Sequence, residues 1–135
     1  MRSSLPLFLL TMVTQIVSTN SHAQGLTAVE PIPGFVCMNL AISHEQVVDR
    51  SFFVPVYSAP SPTATQVGTS SIIPFIKEPF QPREAYQQML TLGGQLVWIE
   101  TKWLKPWSSP SNPKATCTPW LMSNGRPGPK VDSNR

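Results

Sequence analysis

Charge is scarce in this sequence. Asp, Glu, Lys and Arg make up 13% of its 135 residues, against about a quarter in an average soluble protein. With 10 basic and 7 acidic residues, the balance is too slight for a nucleic-acid-binding footprint. It is also too even for an acidic disordered tail. Cysteine is scarcer still: two of them cannot build a disulfide-dense mini-protein or a four-thiolate zinc site. Long apolar runs are missing beyond the first residues, so the rest of the chain offers no membrane span. The length leaves room for one small domain. Proline, by contrast, is abundant. Its 15 copies argue against a helical bundle, because each removes a backbone donor and fixes φ.

The N-terminus predicts an address. Arg2 precedes the apolar run Leu5 to Val13, and Ser21-His22-Ala23 puts small residues at −3 and −1 before Gln24. Positive charge, apolar run and cleavage site in that order predict a secretory signal peptide over residues 1–23. The run is too short for a membrane span, which needs about 20 apolar residues. A buried N-terminal helix would not explain the order of the three parts. Cleavage would remove Arg2 and His22 and leave His44 as the only histidine. No Cys stands near the cleavage point to take a lipid anchor. The expected product is periplasmic or secreted, and soluble after cleavage.

Cys37 and Cys117 fit that compartment, because an oxidising space favours their pairing. The bond would tie the start of the domain to its end. Closing so long a loop is worth roughly 4 kcal/mol in the chain-entropy account. Two free buried thiols, or a metal pair, are the competing readings. A lone histidine and separated cysteines give no metal-ligand cluster.

Residues 24–34, with Pro31 and Pro33, read as an extended segment leading into the domain. Phe35 to Ala41 is compatible with a first strand. Ser43 and Gln46 have capping-box spacing ahead of one helical turn or a loop. Phe52 to Tyr57 is aromatic and β-branched, and Pro55 demotes it to an edge or bulged strand. Ser58 to Thr65 is a loop dense in turn formers. Ile72 to Ile76 is β-prone around Pro74, and Lys77 to Arg83 reads as a loop. Residues 84–92 fit either helical or strand spacing. Gly93-Gly94 followed by Leu96-Val97-Trp98-Ile99 tips the reading toward a hairpin. Cys117 to Leu121 closes the domain, assigned to residues 35–121. Residues 122–135 read as a disordered tail. Five or six short strands between Pro- and Gly-rich loops predict an all-β sandwich or barrel.

The middle of the chain resembles the bacterial SH3-like domain. Val56-Tyr57-Ser58-Ala59-Pro60-Ser61 is similar to that family's first strand and Ser/Ala-Pro-Ser loop, and Thr65-Gln66-Val67-Gly68 continues it. Ile72 to Ile76 sits where its hydrophobic strand belongs. Met89 to Ile99 is similar to its hairpin, although Val97 stands where the family has a Gly before Trp. The loop from Pro74 to Glu84 is longer and lacks the usual turn. The similarity covers about residues 50–107. It implies a small SH3-like β-barrel with long proline-rich loops, and a non-catalytic module. Many such modules bind envelope partners, but fold does not fix function.

The residues offer little catalytic chemistry. His44, followed by Glu45, reads as a solvated loop pair. No Gly-x-Ser-x-Gly elbow occurs, and no phosphate-cradling Gly-rich loop. No cofactor, metal or nucleic acid is implied. The aromatic residues say more. Trp98 is assigned to the core, where a ring brings 150–250 Å² of burial. Tyr57, Tyr86, Trp103 and Trp107 are the candidate ligand-binding residues, because rings among Lys102, Lys105 and Pro106 suit a peptide or glycan surface. The expectation is a binding module for peptidoglycan or a peptide or protein ligand of the envelope. The alternative is a small inhibitor of a cell-wall hydrolase or other enzyme, with Ser58 to Thr65 as the plug.

Overall fold

Short antiparallel strands dominate the computed structural model, which describes residues 25–134. In chain order they are β1 (Ala28–Pro31), β2 (Phe35–Leu40), β3 (Pro55–Tyr57), β4 (Gln66–Thr69), β5 (Phe75–Lys77), β6 (Tyr86–Leu90), β7 (Leu96–Glu100), β8 (Leu104–Pro106), β9 (Thr116–Met122) and β10 (Pro127–Asp132). A five-residue helix, α1 (His44–Val48), follows β2, and a 3₁₀ turn, Thr101–Trp103, links β7 to β8. The expected signal peptide, residues 1–23, lies outside the described residues.

The all-β expectation holds, but among the described residues the strands form two sheets and no closed barrel. One sheet has seven strands in the order β4-β3-β7-β6-β5-β2-β8; the other has three, β1-β9-β10. The larger sheet must nevertheless roll. Glu100 and Leu104 are joined by one 3₁₀ turn, so the chain between them reaches at most about 14 Å. In a flat sheet β7 and β8 would lie four strand spacings apart, about 19 Å. Only curvature brings them within reach.

Rolling creates an inside. Paired residues project to the same face, and the register puts Val36 beside Ile76, Ile76 beside Met89, and Met89 beside Val97. Ile76, Met89 and Val97 with Leu40, Val54, Val56 and Ile99 make the core cluster, against which Val36, Phe52, Trp103 and Leu104 pack. Ile76 and Ile99 are fully buried. α1 buries no residue. Its start is set by the capping box read from the sequence: Gln46 N–H donates to Ser43 Oγ (3.2 Å), and Ser43 N–H donates to Gln46 Oε1 (2.8 Å).

The Gly93-Gly94 reading also holds in kind. β6 and β7 form a hairpin, from Tyr86 beside Glu100 to Leu90 beside Leu96. The loop is longer than two residues. Gly94 N–H donates to Thr91 O (2.9 Å), and Gly94 takes φ +82°. This is a type I turn followed by a left-handed glycine.

The outer face of the rolled sheet carries the disulfide. Cys37 is bonded to Cys117, with Cα atoms 5.8 Å apart, so the pairing expected from the sequence is present. Cys37 sits beside Phe75, and Phe75 beside Leu90. Phase puts that row on the face opposite the core. Phe75 is nonetheless 1% exposed. The smaller sheet accounts for it: β9 lies against β2, and Met122, Pro127 and Gly128 share a cavity with Leu92 of the hairpin loop.

Two boundaries are corrected. Residues 122–135, expected as a disordered tail, contain β10, which pairs with β9 from Pro127 beside Leu121 to Asp132 beside Thr116. The domain therefore does not stop at residue 121. Nor does it start at 35, because β1, within the extended segment 24–34, pairs with β9 on its other side. The physical reason is where the prolines point. Ile32 N–H donates to Pro119 O (3.0 Å), and Met122 N–H to Arg126 O (2.9 Å). The alternation between these bonds turns the peptide nitrogens of Pro127 and Pro129 away from β9. β10 thus loses no ladder bond to its prolines. Pro55 lies within a strand as expected, and prolines expected between strands also lie within them at Pro31, Pro106, Pro119, Pro127 and Pro129.

Candidate functional site

The smaller sheet covers only part of the outer face. Next to the Cys37–Phe75–Leu90 row runs a second row, left open. Its members are set by register: Tyr57 stands beside Trp98, and Trp98 beside Gln88. Strand alternation explains why Trp98 is here. Val97 and Ile99 are core residues, so the residue between them must face outward. Trp98 is half-buried, not a core residue as its size suggested.

Tyr57 and Tyr86, two of the predicted binding residues, do meet on this face. Their rings are 5.8 Å apart at 87°, an edge-to-face pair. Desolvation pushes the Tyr86 hydroxyl above the usual tyrosine range, and Glu100 and then Tyr57 add to the effect. Tyr86 therefore stays neutral across the physiological range.

Beyond Trp98 the open row ends in a polar cleft of about 320 Å³. It is lined by Lys77, Glu78, Pro79, Gln81, Arg83, Gln87, Gln88 and Trp98. Gln87 is 3% exposed. Its Nε2 donates to Lys77 O (3.0 Å), which fixes the amide, while its Oε1 has no hydrogen-bond partner. Leaving a buried acceptor unpaired costs about 1–3 kcal/mol.

One rim of the cleft is a strained turn. Arg83 N–H donates to Tyr86 O (2.8 Å) and Tyr86 N–H to Arg83 O (2.7 Å). Between them Glu84 and Ala85 take φ +48° and +63°, the signs of a type I′ turn that glycine and asparagine normally fill. A side chain with a Cβ pays about 1–2 kcal/mol in that region. Thr101 holds the turn from outside: its N–H (2.9 Å) and Oγ1 (3.2 Å) both donate to Ala85 O.

The other two predicted residues are elsewhere. Trp103 packs against the core side, edge-to-face on Phe52 at 5.8 Å. Lys102 Nζ lies 5.0 Å from its ring centre, and its Nε1 is buried without a partner. Trp107 lines a separate groove with Val47, Ile72, Ile73 and Lys105. The four rings therefore do not form one site. Tyr57 and Tyr86 belong with Trp98, Gln88, Gln87 and Arg83, none of which had been picked out as a binding residue. The alternation Val97-Trp98-Ile99 was the available signal for the first of these.

Among the described residues no three of His, Cys, Asp and Glu come together as a metal site would require, and no helix is long and apolar enough to cross a membrane. His44 is exposed at the first position of α1. No family model, curated protein or solved structure matches this chain.

Proposed function

We propose that this chain is a non-catalytic, exported binding module for a cell-envelope component, built on a rolled sheet of the SH3-like kind. The carrying observation is the outer row, where half-buried Tyr57 and Trp98, with buried Tyr86 packed edge-to-face on Tyr57, lead into the polar cleft at Gln88. Ring faces beside amides suit ligands with both apolar and polar edges. The roll of the sheet, with β8 returning to β2 through one tight turn, supports the SH3-like reading. The disulfide supports an oxidising compartment, periplasmic or secreted. The ligand is then a wall glycan or peptide, or an envelope protein.

One observation favours a second reading, an inhibitor of a wall hydrolase. The loop from Ser58 to Thr65 is tied by its own hydrogen bonds. Ala64 N–H donates to Ser61 O (3.1 Å) and Thr63 N–H to Ser61 Oγ (3.2 Å). Such a pre-shaped loop suits a cleft-plugging role. The test is co-sedimentation of the exported protein with purified cell wall, beside pull-down on a panel of lytic enzymes. Retention on wall is expected; retention on an enzyme alone favours the inhibitor, and retention on neither sinks both.

A further inference from the structure

We propose that the apolar groove beside α1 is a second binding site, which takes the chain of a single fatty acid with its carboxylate at Lys105. None of the residues lining it belongs to the cleft beside Trp98, so the site goes beyond the binding-module reading. Three observations point to this ligand.

The first is apolar surface left uncovered in a concave place. α1 buries no residue. Its Val47 is 52% exposed, and Ile72, which shares the groove, is 65% exposed. Two cavities, of about 250 Å³ and about 350 Å³, have Leu40, Ile42, Val47 and Ile72 in common, so the groove is continuous. Phe52 and Phe53 line the first cavity, and Trp107, one of the rings predicted to bind ligand, lines the second. Leu40 N–H donates to Ile72 O (3.3 Å) and the capping box fixes α1, so the walls are held in place. Contiguous exposed apolar surface of this kind, rimmed by polar residues, marks a binding groove.

The second is what the polar side chains of the groove are doing. Asn39 Nδ2 donates to Ser108 O (3.0 Å), Ser70 Oγ to Ser71 O (2.8 Å) and Ser71 Oγ to Ile73 O (3.0 Å). Gln46 Oε1 accepts from Ser43 N–H, and Asp49 Oδ1 from Ser51. Each is engaged with the protein itself. A peptide laid here would bring a donor and an acceptor with every residue, and unpaired amides are costly to bury. A hydrocarbon chain asks for no such partners.

The third is charge. The first cavity has Asp49 and Arg50 together, which cancel. The second has Lys105 and no acid. Among the described residues Lys105 is in no ion pair. An anionic head therefore belongs at Lys105, where it gains a charge-assisted bond. The tail then crosses Val47 and Ile72 toward Phe52 and Phe53.

The test titrates the chain with dodecanoate below its micelle concentration, beside dodecanol, a short alanine-rich peptide and phosphatidylglycerol vesicles. Calorimetry gives affinity, and NMR gives the place. Dodecanoate is expected to bind and to move the Trp107 indole N–H and the methyl signals of Val47 and Ile72. Ile72→Asp should remove binding and Ile72→Leu should keep it. Ile72 is mostly exposed, so both variants should hold the wild-type melting temperature. Lys105→Met should weaken dodecanoate about fivefold, the most that one exposed ion pair gives, and leave dodecanol unchanged. Equal binding of dodecanol, unchanged affinity in Ile72→Asp or in Lys105→Met, or shifts centred on Trp98 would each overturn the proposal. So would preference for the peptide. Binding to the vesicles without binding dissolved dodecanoate would overturn it in favour of a membrane surface, and binding of no probe would overturn it outright.

Discussion

The two sheets are held by different means. In the seven-stranded sheet Val56, Ile76, Met89 and Ile99 are each 1% exposed or less. In the three-stranded sheet only Pro119 and Gly128 are buried. One region is a rolled surface with its own interior. The other is a thin layer resting on the first and joined to it by Cys37–Cys117. A short sheet with little core is rarely stable alone. The contrast teaches that the staple acts chiefly on the layer that lacks a core. It also explains why the outer face has an open part: the layer is wide enough to cover Phe75 and too narrow to reach Trp98.

The largest expected effect comes from removing the staple. Cys37→Ala with Cys117→Ala should cost about 4 kcal/mol in the chain-entropy account. Hydrogen exchange should then distinguish the regions, with amides of β9 and β10 losing protection and those of β6 and β7 keeping most of theirs. Uniform loss would mean the two sheets unfold as one unit. Next in size is Ile99→Ala, which opens a cavity in the rolled sheet and should cost about 2–5 kcal/mol. Leu121→Ala, half-buried in β9, should cost clearly less in the same denaturant titration. Equal costs would erase the contrast.

Smaller effects sit at the rims. Ala85→Gly relieves a left-handed alanine and should stabilise by up to about 1 kcal/mol, the strain removed being partly offset by a freer unfolded chain. A rise in melting temperature would register it. Smallest is the group at the end of α1. Ser51 Oγ (2.7 Å) and Ser51 N–H (2.9 Å) both donate to Asp49 Oδ1, and hold its carboxyl below the usual range, the hydroxyl contributing more. The contribution is present above the unfolded-state pKa and is lost as pH falls through the lower folded-state value. In Ser51→Ala the Asp49 carboxyl, followed by NMR, should titrate at higher pH than in the parent.

Local signals carried much of the rolled sheet into view. The capping box at Ser43 and Gln46 and the turn at Gly93-Gly94 act over a few residues, so their spacing is enough. The cysteine pair was legible because only one intramolecular bond was available. β10 was not, because Pro127, Gly128 and Pro129 look like tail. The turn signal Asn124-Gly125 was present, with Gly125 at φ +77°. What the sequence hides is that alternate prolines can all point away from a partner strand. The site was least legible. Trp98, Gln87 and Arg83 become neighbours only through pairings between β5, β6 and β7 and a turn that breaks the usual residue preference. Size pointed Trp98 inward, and strand phase turned it outward.

The prolines of β10 have one more effect. A sheet edge normally offers free N–H groups to any passing strand, including one from an identical molecule. At β10 the outward positions are Pro127, Pro129 and Val131, and the two prolines have no hydrogen to give. Val131 alone keeps an outward N–H. With two of its three outward donors missing, this edge is a poor template for a further strand.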